Sequence, residues 1–266
     1  MISIQCHFYS HVLRMDTSLS ILLPQKRHKP IVYDEKKYPV LYLLHGQSQD
    51  YTAWIRNSNI ELYLAKQEVA VVMPNMHKSF YTNMLHGDQY FTFLTEEIPA
   101  FVQKYFPISN KRDEIFVIGL SMGGYGAFKW ALTCPDKINA AASMSGAVDI
   151  ANVYDELYQE IEDFETLDEQ QKEYINIFGL PDNLQTSGND LRKLALQLHL
   201  ENKRQPLLYQ YCGYDDYLYE QNTDFAHYVQ NNTSLRLIFK EGDGSHNWHY
   251  WNDKLFDILK VFDLIE

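Results

Sequence analysis

Short apolar runs alternate along the chain with longer stretches of helical periodicity. The apolar runs predict strands at Leu19–Leu23, Val40–Leu44, Val69–Met73, Ile115–Gly119, Ala140–Met144, Leu207–Tyr211 and Leu235–Phe239. The periodic stretches predict helices near Ile60–Gln67, Phe93–Phe106, Gly123–Leu132, Leu191–Asn202, Tyr219–Asn231 and Trp248–Phe262. Several of the strands are apolar throughout, which is typical of parallel strands covered on both faces. The alternation predicts an α/β fold with a mostly parallel central sheet and helices on both faces.

The N-terminal segment departs from this alternation. Its two apolar segments, Ile2–Tyr9 and Leu19–Leu23, have no helical pattern between them. Parallel neighbours would need a long crossover, so these two segments predict an antiparallel hairpin that opens the sheet.

A second departure lies at residues 148–190. This segment contains no convincing core strand, residues 155–173 are rich in Asp and Glu, and Gly179, Pro181 and Gly188 punctuate its end. We expect a short helical insertion that caps the edge of the sheet. A solvated excursion without substrate contact is the alternative that the residues leave open. No linker divides the chain, so residues 1–266 are expected to form a single domain that contains this insertion.

Charge and cysteine content narrow the range of partners. The 266 residues carry a net charge of −12 at pH 7, which repels the phosphates of nucleic acids and anionic lipids. Binding to nucleic acid or to a membrane is therefore not expected. Cys6, Cys134 and Cys212 lie far apart, which favours buried thiols over disulfides or a metal site. No signal peptide or membrane-spanning run is recognisable, so we expect the protein in the cytoplasm.

The most informative motif is a serine between two glycines. Gly119-Leu120-Ser121-Met122-Gly123 ends one predicted strand and begins the helical stretch Gly123–Leu132. This is the G-x-S-x-G nucleophile elbow, in which glycine lets strand and helix approach closely and the serine adopts a strained backbone geometry. The amides at the start of the helix favour negative charge that develops beside the serine. Ser121 is therefore the candidate nucleophile.

A serine hydroxyl needs a base, and the base needs an acid that orients it. In folds with this elbow the acid and then the histidine follow the serine, on loops at the same edge of the sheet. His246 fits because it lies on the glycine-rich loop after Leu235–Phe239. Two adjacent candidate acids, Asp215 and Asp216, follow Leu207–Tyr211, and the spacing alone does not choose between them.

The loop after the strand Val40–Leu44 is the candidate oxyanion hole. It reads His45-Gly46-Gln47, and a strand that ends beside the elbow can offer a free backbone amide. We expect the N–H groups of Gln47 and Met122 to bind the oxyanion, and His45 to organise the loop. No pair of histidines has the spacing of metal ligands, so no metal or cofactor is expected.

Aromatic residues on the loops near the serine are candidates for a substrate pocket that binds the acyl or alcohol group. They are Trp54, Tyr81, Tyr214, Tyr217 and Trp248. Ordinary core packing is the alternative for each of them.

Together these motifs resemble the esterase D / S-formylglutathione hydrolase-like family of the α/β-hydrolase superfamily, and within it the small bacterial tributyrin esterases. The matching pieces are Leu43-Leu44-His45-Gly46, Trp54, Val71-Val72-Met73-Pro74-Asn75, Gly119–Gly126, Cys212-Gly213 with Asp216–Glu220, and Gly244–Trp251. The family's acid stands directly before an aromatic-Leu pair, so the resemblance implies Asp216 as the acid. It also implies the α/β-hydrolase fold.

The resemblance implies a serine carboxylesterase that hydrolyses short-chain acyl esters, acetyl or feruloyl esters among them, through an acyl-enzyme. The expected partner is a small-molecule ester, and related esterases make a homo-oligomer an open possibility. One alternative is a thioesterase such as an S-formylglutathione hydrolase. The other is a non-catalytic α/β-hydrolase that acts as a binding protein.

Overall fold

The computed structural model describes residues 1–25, 35–152, 154, 167–180, 184 and 187–266. The strands are β1 (Ile2–Ser10), β2 (Met15–Leu23), β3 (Val40–Leu44), β4 (Ala70–Pro74), β5 (Ile115–Leu120), β6 (Ala140–Met144), β7 (Leu207–Gly213) and β8 (Leu237–Gly242). The helices are α1 (Ala53–Asn57), α2 (Ile60–Tyr63), α3 (Tyr90–Thr92), α4 (Ile98–Tyr105), α5 (Met122–Thr133), α6 (Glu169–Phe178), α7 (Leu191–Glu201), α8 (Tyr219–Asn232) and α9 (Trp248–Val261).

Within the described residues these strands form one eight-stranded sheet in the order β1-β2-β4-β3-β5-β6-β7-β8. The first hairpin is antiparallel and joins β4 through β2, whereas every pairing from β4 to β8 is parallel. The predicted hairpin and the mostly parallel sheet are thus confirmed.

Helices cover both faces of the sheet, which explains the continuous apolar runs. Along β3, Val40, Tyr42 and Leu44 belong to the core cluster on one face, and Leu41 and Leu43 belong to the cluster on the other. The first cluster includes residues of α4, α5, α7 and α8, and the second includes residues of α1, α2 and α9. Among the described residues, no helix combines the length and the apolarity needed to cross a membrane.

Element boundaries differ from the pattern where polar residues lie in strands. β2 begins at Met15, before the predicted start at Leu19. The polar residues Asp16, Thr17 and Ser18 also pair with β1. The last strand is shifted toward Gly242, since an edge strand can expose its charged residues. The predicted helix at Phe93–Phe106 begins with a π-helical turn at Phe93–Glu97 and continues as α4.

The elbow depends on the absence of side chains at two glycines. A β-carbon at Gly119 would lie 1.9 Å from the carbonyl oxygen of Gly123. A β-carbon at Gly123 would lie 2.2 Å from the carbonyl oxygen of Leu44, at the end of β3. Both distances are far below van der Waals contact, so β3, β5 and α5 can meet at the C-terminal edge of the sheet only with glycine at both positions.

The loop after β3 is organised by the buried ring of His45. The N–H of Met76 donates to Nε2 of this ring (3.0 Å), so Nδ1 carries the proton and donates to the carbonyl of Gly46 (2.8 Å). The hydroxyl of Tyr81 donates to the carbonyl of His45 itself (2.8 Å). Burial lowers the pKa of His45 to about 4, which keeps the ring neutral at physiological pH. His45 is thus a structural anchor of the loop that carries Gln47.

The predicted insertion at 148–190 is described only in part, since residues 153, 155–166, 181–183 and 185–186 lie outside the described ranges. Its helix α6 begins with a capping box in which Asp168 accepts from the amide of Gln171. Tyr174 and Phe178 of α6 pack against the ring of Phe80. The described helix therefore lies on the loop that follows β4, and the capping role of the whole segment stays a prediction.

Replacing Gly123 with alanine is expected to lower the free energy of unfolding by about 3 kcal/mol, because the methyl group would force β3 and α5 apart. Gly242→Ala is the matched control, since a β-carbon there meets no atom within 4 Å. Urea unfolding of both variants measures the difference. Equal stability of the two variants would show that the close approach at Gly123 is not required.

The neutral state of His45 predicts a pH dependence of stability. An unfolded imidazole titrates near ~6.5, so between that pH and about 4 the unfolded chain binds more protons than the folded one. Stability should therefore fall as the pH drops through this window, by on the order of 3 kcal/mol from this residue.

The measurement is the free energy of urea unfolding at pH 7 and at pH 4.5, for the wild type and for His45→Gln. The glutamine side chain can accept from Met76 but does not titrate, so the variant should lose less stability on acidification. The same loss in both proteins would contradict the assignment.

Candidate active site

Ser121 lies at the sharp turn between β5 and α5. Its backbone has φ 53° and ψ −122°, in the left-handed region that a non-glycine residue rarely adopts. The turn is fixed by hydrogen bonds, since the amide of Ser121 donates to the carbonyl of Met144 (2.9 Å) and its carbonyl accepts from Gly124 and Ala147. The strained conformation is therefore imposed by the sheet edge, and it holds the side chain in one orientation.

The loops after β7 and β8 are joined to each other. The amide of Tyr214 donates to the carbonyl of Gly242 (2.9 Å), and that of Asp215 donates to Gly244 (3.0 Å). A β-carbon at Gly213 would lie 2.1 Å from the carbonyl oxygen of Gly244. This close contact brings the predicted acid and the predicted histidine together.

The three side chains predicted as a catalytic triad form a hydrogen-bonded chain. Nε2 of His246 lies 3.0 Å from Oγ of Ser121. Nδ1 of His246 lies 3.1 Å from each carboxylate oxygen of Asp216. The carboxylate fixes the tautomer, because Nδ1–H donates to it and Nε2 is then left as the acceptor for the serine hydroxyl.

Asp216 contacts the imidazole, and Asp215 does not within the described hydrogen bonds. The side chain of Asp216 has no accessible surface, whereas Asp215 is exposed. Burial raises the pKa of the Asp216 carboxyl, but hydrogen bonds from His246, Ser145 and the amide of Leu218 lower it, and the net pKa lies below its usual range. The carboxylate is therefore ionised at neutral pH.

Two residues beside Asp216 were not identified from the sequence pattern. Ser145 follows β6, has φ 47°, and hydrogen-bonds to Asp216. The indole N–H of Trp251 in turn donates to Oγ of Ser145 (3.0 Å). The ring of Trp251 also meets the ring of His246 edge to face, with 5.0 Å between centroids. A serine at the carboxyl end of a central strand is the signal that could have found the first of them.

The amides predicted for the oxyanion hole lie on two adjoining turns. A β-carbon at Gly46 would lie 3.5 Å from Cβ of Ser121, so the loop of Gln47 runs beside the nucleophile. Met122 is the first residue of α5. Among the described residues, neither the amide of Gln47 nor that of Met122 has a hydrogen-bond acceptor. Both N–H groups are thus without a protein acceptor in this part of the chain, and their role as oxyanion donors stays a prediction.

The side chain of Gln47 contacts the insertion. Its Nε2 donates to a carboxylate oxygen of Glu173 on α6 (3.2 Å), and the other oxygen of Glu173 pairs with Nζ of Lys78 (2.9 Å). The contact joins the oxyanion loop to α6. It could not be read from the sequence, since the residues are far apart along the chain.

Two of the five aromatic residues predicted to line a pocket do not do so. Trp54 and Tyr81 have no accessible surface: Trp54 packs against Trp248, and the hydroxyl of Tyr81 is used by His45. This corrects the prediction for both, and the physical reason is that their loops fold inward against the core. Of the other three, Trp248 is half-buried, and Tyr214 and Tyr217 are exposed.

Tyr217 lies directly beside the triad. Its hydroxyl is 3.3 Å from Nε2 of His246, and the two rings have centroids 4.5 Å apart. Tyr214 instead packs against Tyr219, away from the imidazole.

In the described part of the chain, no group of three His, Cys, Asp or Glu side chains could hold a metal ion.

Comparison with known proteins gives one consistent result. The family model described as "Putative esterase" matches residues 10–262. The acetyl esterase of Caldicellulosiruptor saccharolyticus is 30% identical over 254 residues, and the match covers 93% of each protein.

Two solved structures from Staphylococcus aureus are also similar. One is the fluorophosphonate-binding serine hydrolase FphF, with a TM-score of 0.86 and 30% identity over 98% of both chains. The other is the S-formylglutathione hydrolase FrmB, with a TM-score of 0.82 and 31% identity over 98% of both chains. The chain therefore belongs to the esterase family of serine hydrolases with the α/β-hydrolase fold, and it is a serine carboxylesterase.

Proposed function

We propose that the esterase hydrolyses short-chain acyl esters, acetyl esters in particular, through an acyl-enzyme on Ser121. The observation that carries this proposal is the hydrogen-bonded chain from Oγ of Ser121 through the ring of His246 to the ionised carboxylate of Asp216. The acetyl group is suggested by the acetyl esterase that is similar over 93% of the chain. Feruloyl esters stay a prediction, and Trp54 and Tyr81, two of the five residues predicted to line a substrate pocket, are inaccessible.

In the proposed acylation, Nε2 of His246 takes the proton of Ser121 as Oγ attacks the ester carbonyl. Asp216 stabilises the imidazolium that forms, because its charge faces Nδ1 across 3.1 Å. The amides of Gln47 and Met122 bind the negative oxygen of the tetrahedral intermediate. The bond to the alcohol then breaks, and the proton on Nε2 goes to the departing oxygen.

Deacylation repeats the same steps with water. His246 takes a proton from the water as its oxygen attacks the acyl carbon, and the proton then returns to Oγ of Ser121. The free acid leaves, and the resting hydrogen bonds are restored.

We also propose that the insertion at 148–190 forms one border of the substrate site within a single domain. The support is the contact of Glu173 with Gln47, which places α6 against the oxyanion loop. The alternative of a solvated excursion is less consistent with Tyr174 and Phe178, which are buried against Phe80.

We further propose that the esterase acts in the cytoplasm and binds no nucleic acid. The support for a reducing compartment is that Cys6, Cys134 and Cys212 are all free thiols. The net charge of −12 argues against a nucleic-acid partner. Assembly into a homo-oligomer stays a prediction.

Thioester hydrolysis is the second candidate function. It is favoured by the likeness to the S-formylglutathione hydrolase FrmB, at 31% identity over 98% of both chains. The same triad can open a thioester, so the two functions differ only in which acyl donor binds productively. The ratio of kcat/KM for S-formylglutathione to that for ethyl acetate decides between them.

Replacing Ser121 with alanine should lower kcat for p-nitrophenyl acetate by on the order of 10⁴-fold or more, because the attacking oxygen is lost. Ser234→Ala is the matched control, since that serine precedes β8 at the opposite edge of the sheet. Initial rates and thermal unfolding are measured for both variants. Unchanged hydrolysis by folded Ser121→Ala would rule out the proposed mechanism.

Replacing Asp216 with asparagine should lower kcat by about 10⁴-fold, because an amide does not hold the imidazole in the required tautomer. Asp215→Asn, one residue away and exposed, should stay within about twofold of the wild type. The two variants are compared in the same assay. Similar losses in both would show that the acid is assigned wrongly.

A further inference from the structure

The phenol of Tyr217 lies where the reacting atoms of the triad meet. Its hydroxyl is 3.3 Å from Nε2 of His246, the atom that also lies 3.0 Å from Oγ of Ser121. Yet 73% of the residue is exposed, so Tyr217 lies on the open side of the site.

The position of Tyr217 follows from that of the acid. It is the next residue after Asp216, whose carboxylate accepts from the amide of Leu218 (2.9 Å) and whose carbonyl accepts from the amide of Tyr219 (2.9 Å). This tight turn fixes the backbone on both sides of the tyrosine. The ring then lies over the imidazole of His246.

The phenol remains a hydrogen-bond donor throughout the working range of pH. Burial and the nearby charge of Asp216 raise the pKa of the Tyr217 hydroxyl. The hydroxyl is thus protonated in the resting enzyme, and it can donate a hydrogen bond to a negatively charged oxygen.

His246 cannot satisfy this donor in the resting state. Nδ1–H donates to Asp216, which leaves a single lone pair on Nε2, and Ser121 at 3.0 Å is nearer than Tyr217 at 3.3 Å. When the tetrahedral intermediate forms, the departing alcohol oxygen must approach Nε2 to receive its proton. It then also comes within reach of the phenol, which already borders the same space.

We propose that Tyr217 is a further catalytic residue that donates a hydrogen bond to the leaving alcohol oxygen during acylation. The carbon–oxygen bond breaks, its electron pair goes to the departing oxygen, and the proton on Nε2 of His246 neutralises that oxygen. Tyr217 keeps its own proton and stabilises the charge that develops before the transfer is complete. The inference rests on the acyl-enzyme mechanism proposed above.

In the competing role, the ring of Tyr217 only packs against the imidazole of His246 and orients it. The two roles differ in their dependence on the leaving group. A hydrogen bond to the departing oxygen matters most for a poor leaving group, on which much negative charge must be stabilised, and little for p-nitrophenolate. A residue that only orients His246 affects the hydrolysis of every ester alike, so its loss would lower all three rates by a similar factor.

The test is kcat/KM of Tyr217→Phe with p-nitrophenyl acetate, phenyl acetate and ethyl acetate. The substitution removes the hydroxyl and keeps the ring over His246. All three substrates form the same acetyl-enzyme, so differences among them report acylation alone. We expect a loss of about tenfold with ethyl acetate, less with phenyl acetate, and under about twofold with p-nitrophenyl acetate.

The matched control is Tyr219→Phe, which removes a phenol hydroxyl from the same stretch of chain. The hydroxyl of Tyr219 bonds to Glu241 (2.8 Å) and not to the triad, so all three rates should stay near those of the wild type. A uniform loss across the three esters with Tyr217→Phe, or no loss, would overturn the proposal.

Failure of the wider mechanism would look different. If the acyl-enzyme mechanism itself were wrong, Ser121→Ala would hydrolyse the three esters as fast as the wild type does. Retained turnover of p-nitrophenyl acetate by Tyr217→Phe shows that the variant is folded and that its triad is intact.

Discussion

The approach of three backbone segments at Ser121 is the constraint on which the rest of the structure depends. β3 ends against Gly123, β5 ends at the elbow, and α5 begins there, at distances that leave no room for a side chain at Gly119 or Gly123. The serine is held at a positive φ because its amide donates to Met144 at the end of β6, and its carbonyl accepts from Gly124 of α5 and from Ala147 in the loop after β6. One strained residue thereby fixes where the nucleophile, the first helix amide and the oxyanion loop lie.

The remaining catalytic groups are brought to that point by a second close contact. The loops after β7 and β8 are joined through Gly213 and Gly244, which holds the acid and the histidine next to each other. Burial would raise the pKa of an isolated carboxyl, but the hydrogen bonds to Asp216 from His246, Ser145 and Leu218 overcome this effect. The electrostatics of the site are thus set by the neighbours of the acid and not by its exposure.

Much of the fold could be predicted from the sequence because the central strands are apolar on both faces. The boundaries of β2 and β8 could not, since the first residues of β2, such as Asp16, extend beyond its pairing with β4, and the edge strand β8 exposes residues such as Lys240. The order of serine, acid and histidine along the chain predicted the geometry that the structure shows.

The choice between Asp215 and Asp216 needed more than spacing, because adjacent residues on a loop point in different directions. The prediction that Trp54 and Tyr81 line a substrate pocket was wrong, because the burial of loop residues depends on how the loops pack. Glu173 contacts residues that are distant in sequence, so no local pattern marks it, whereas Ser145 is marked only by its position at the carboxyl end of β6.

The most direct test of the account is a titration of the protein with a fluorophosphonate probe, with the labelled peptide identified by mass spectrometry. The account predicts one label per chain, carried by Ser121, and a loss of ester hydrolysis in proportion to the label. Labelling of a different residue with loss of activity, or full hydrolysis by protein labelled at Ser121, would contradict it.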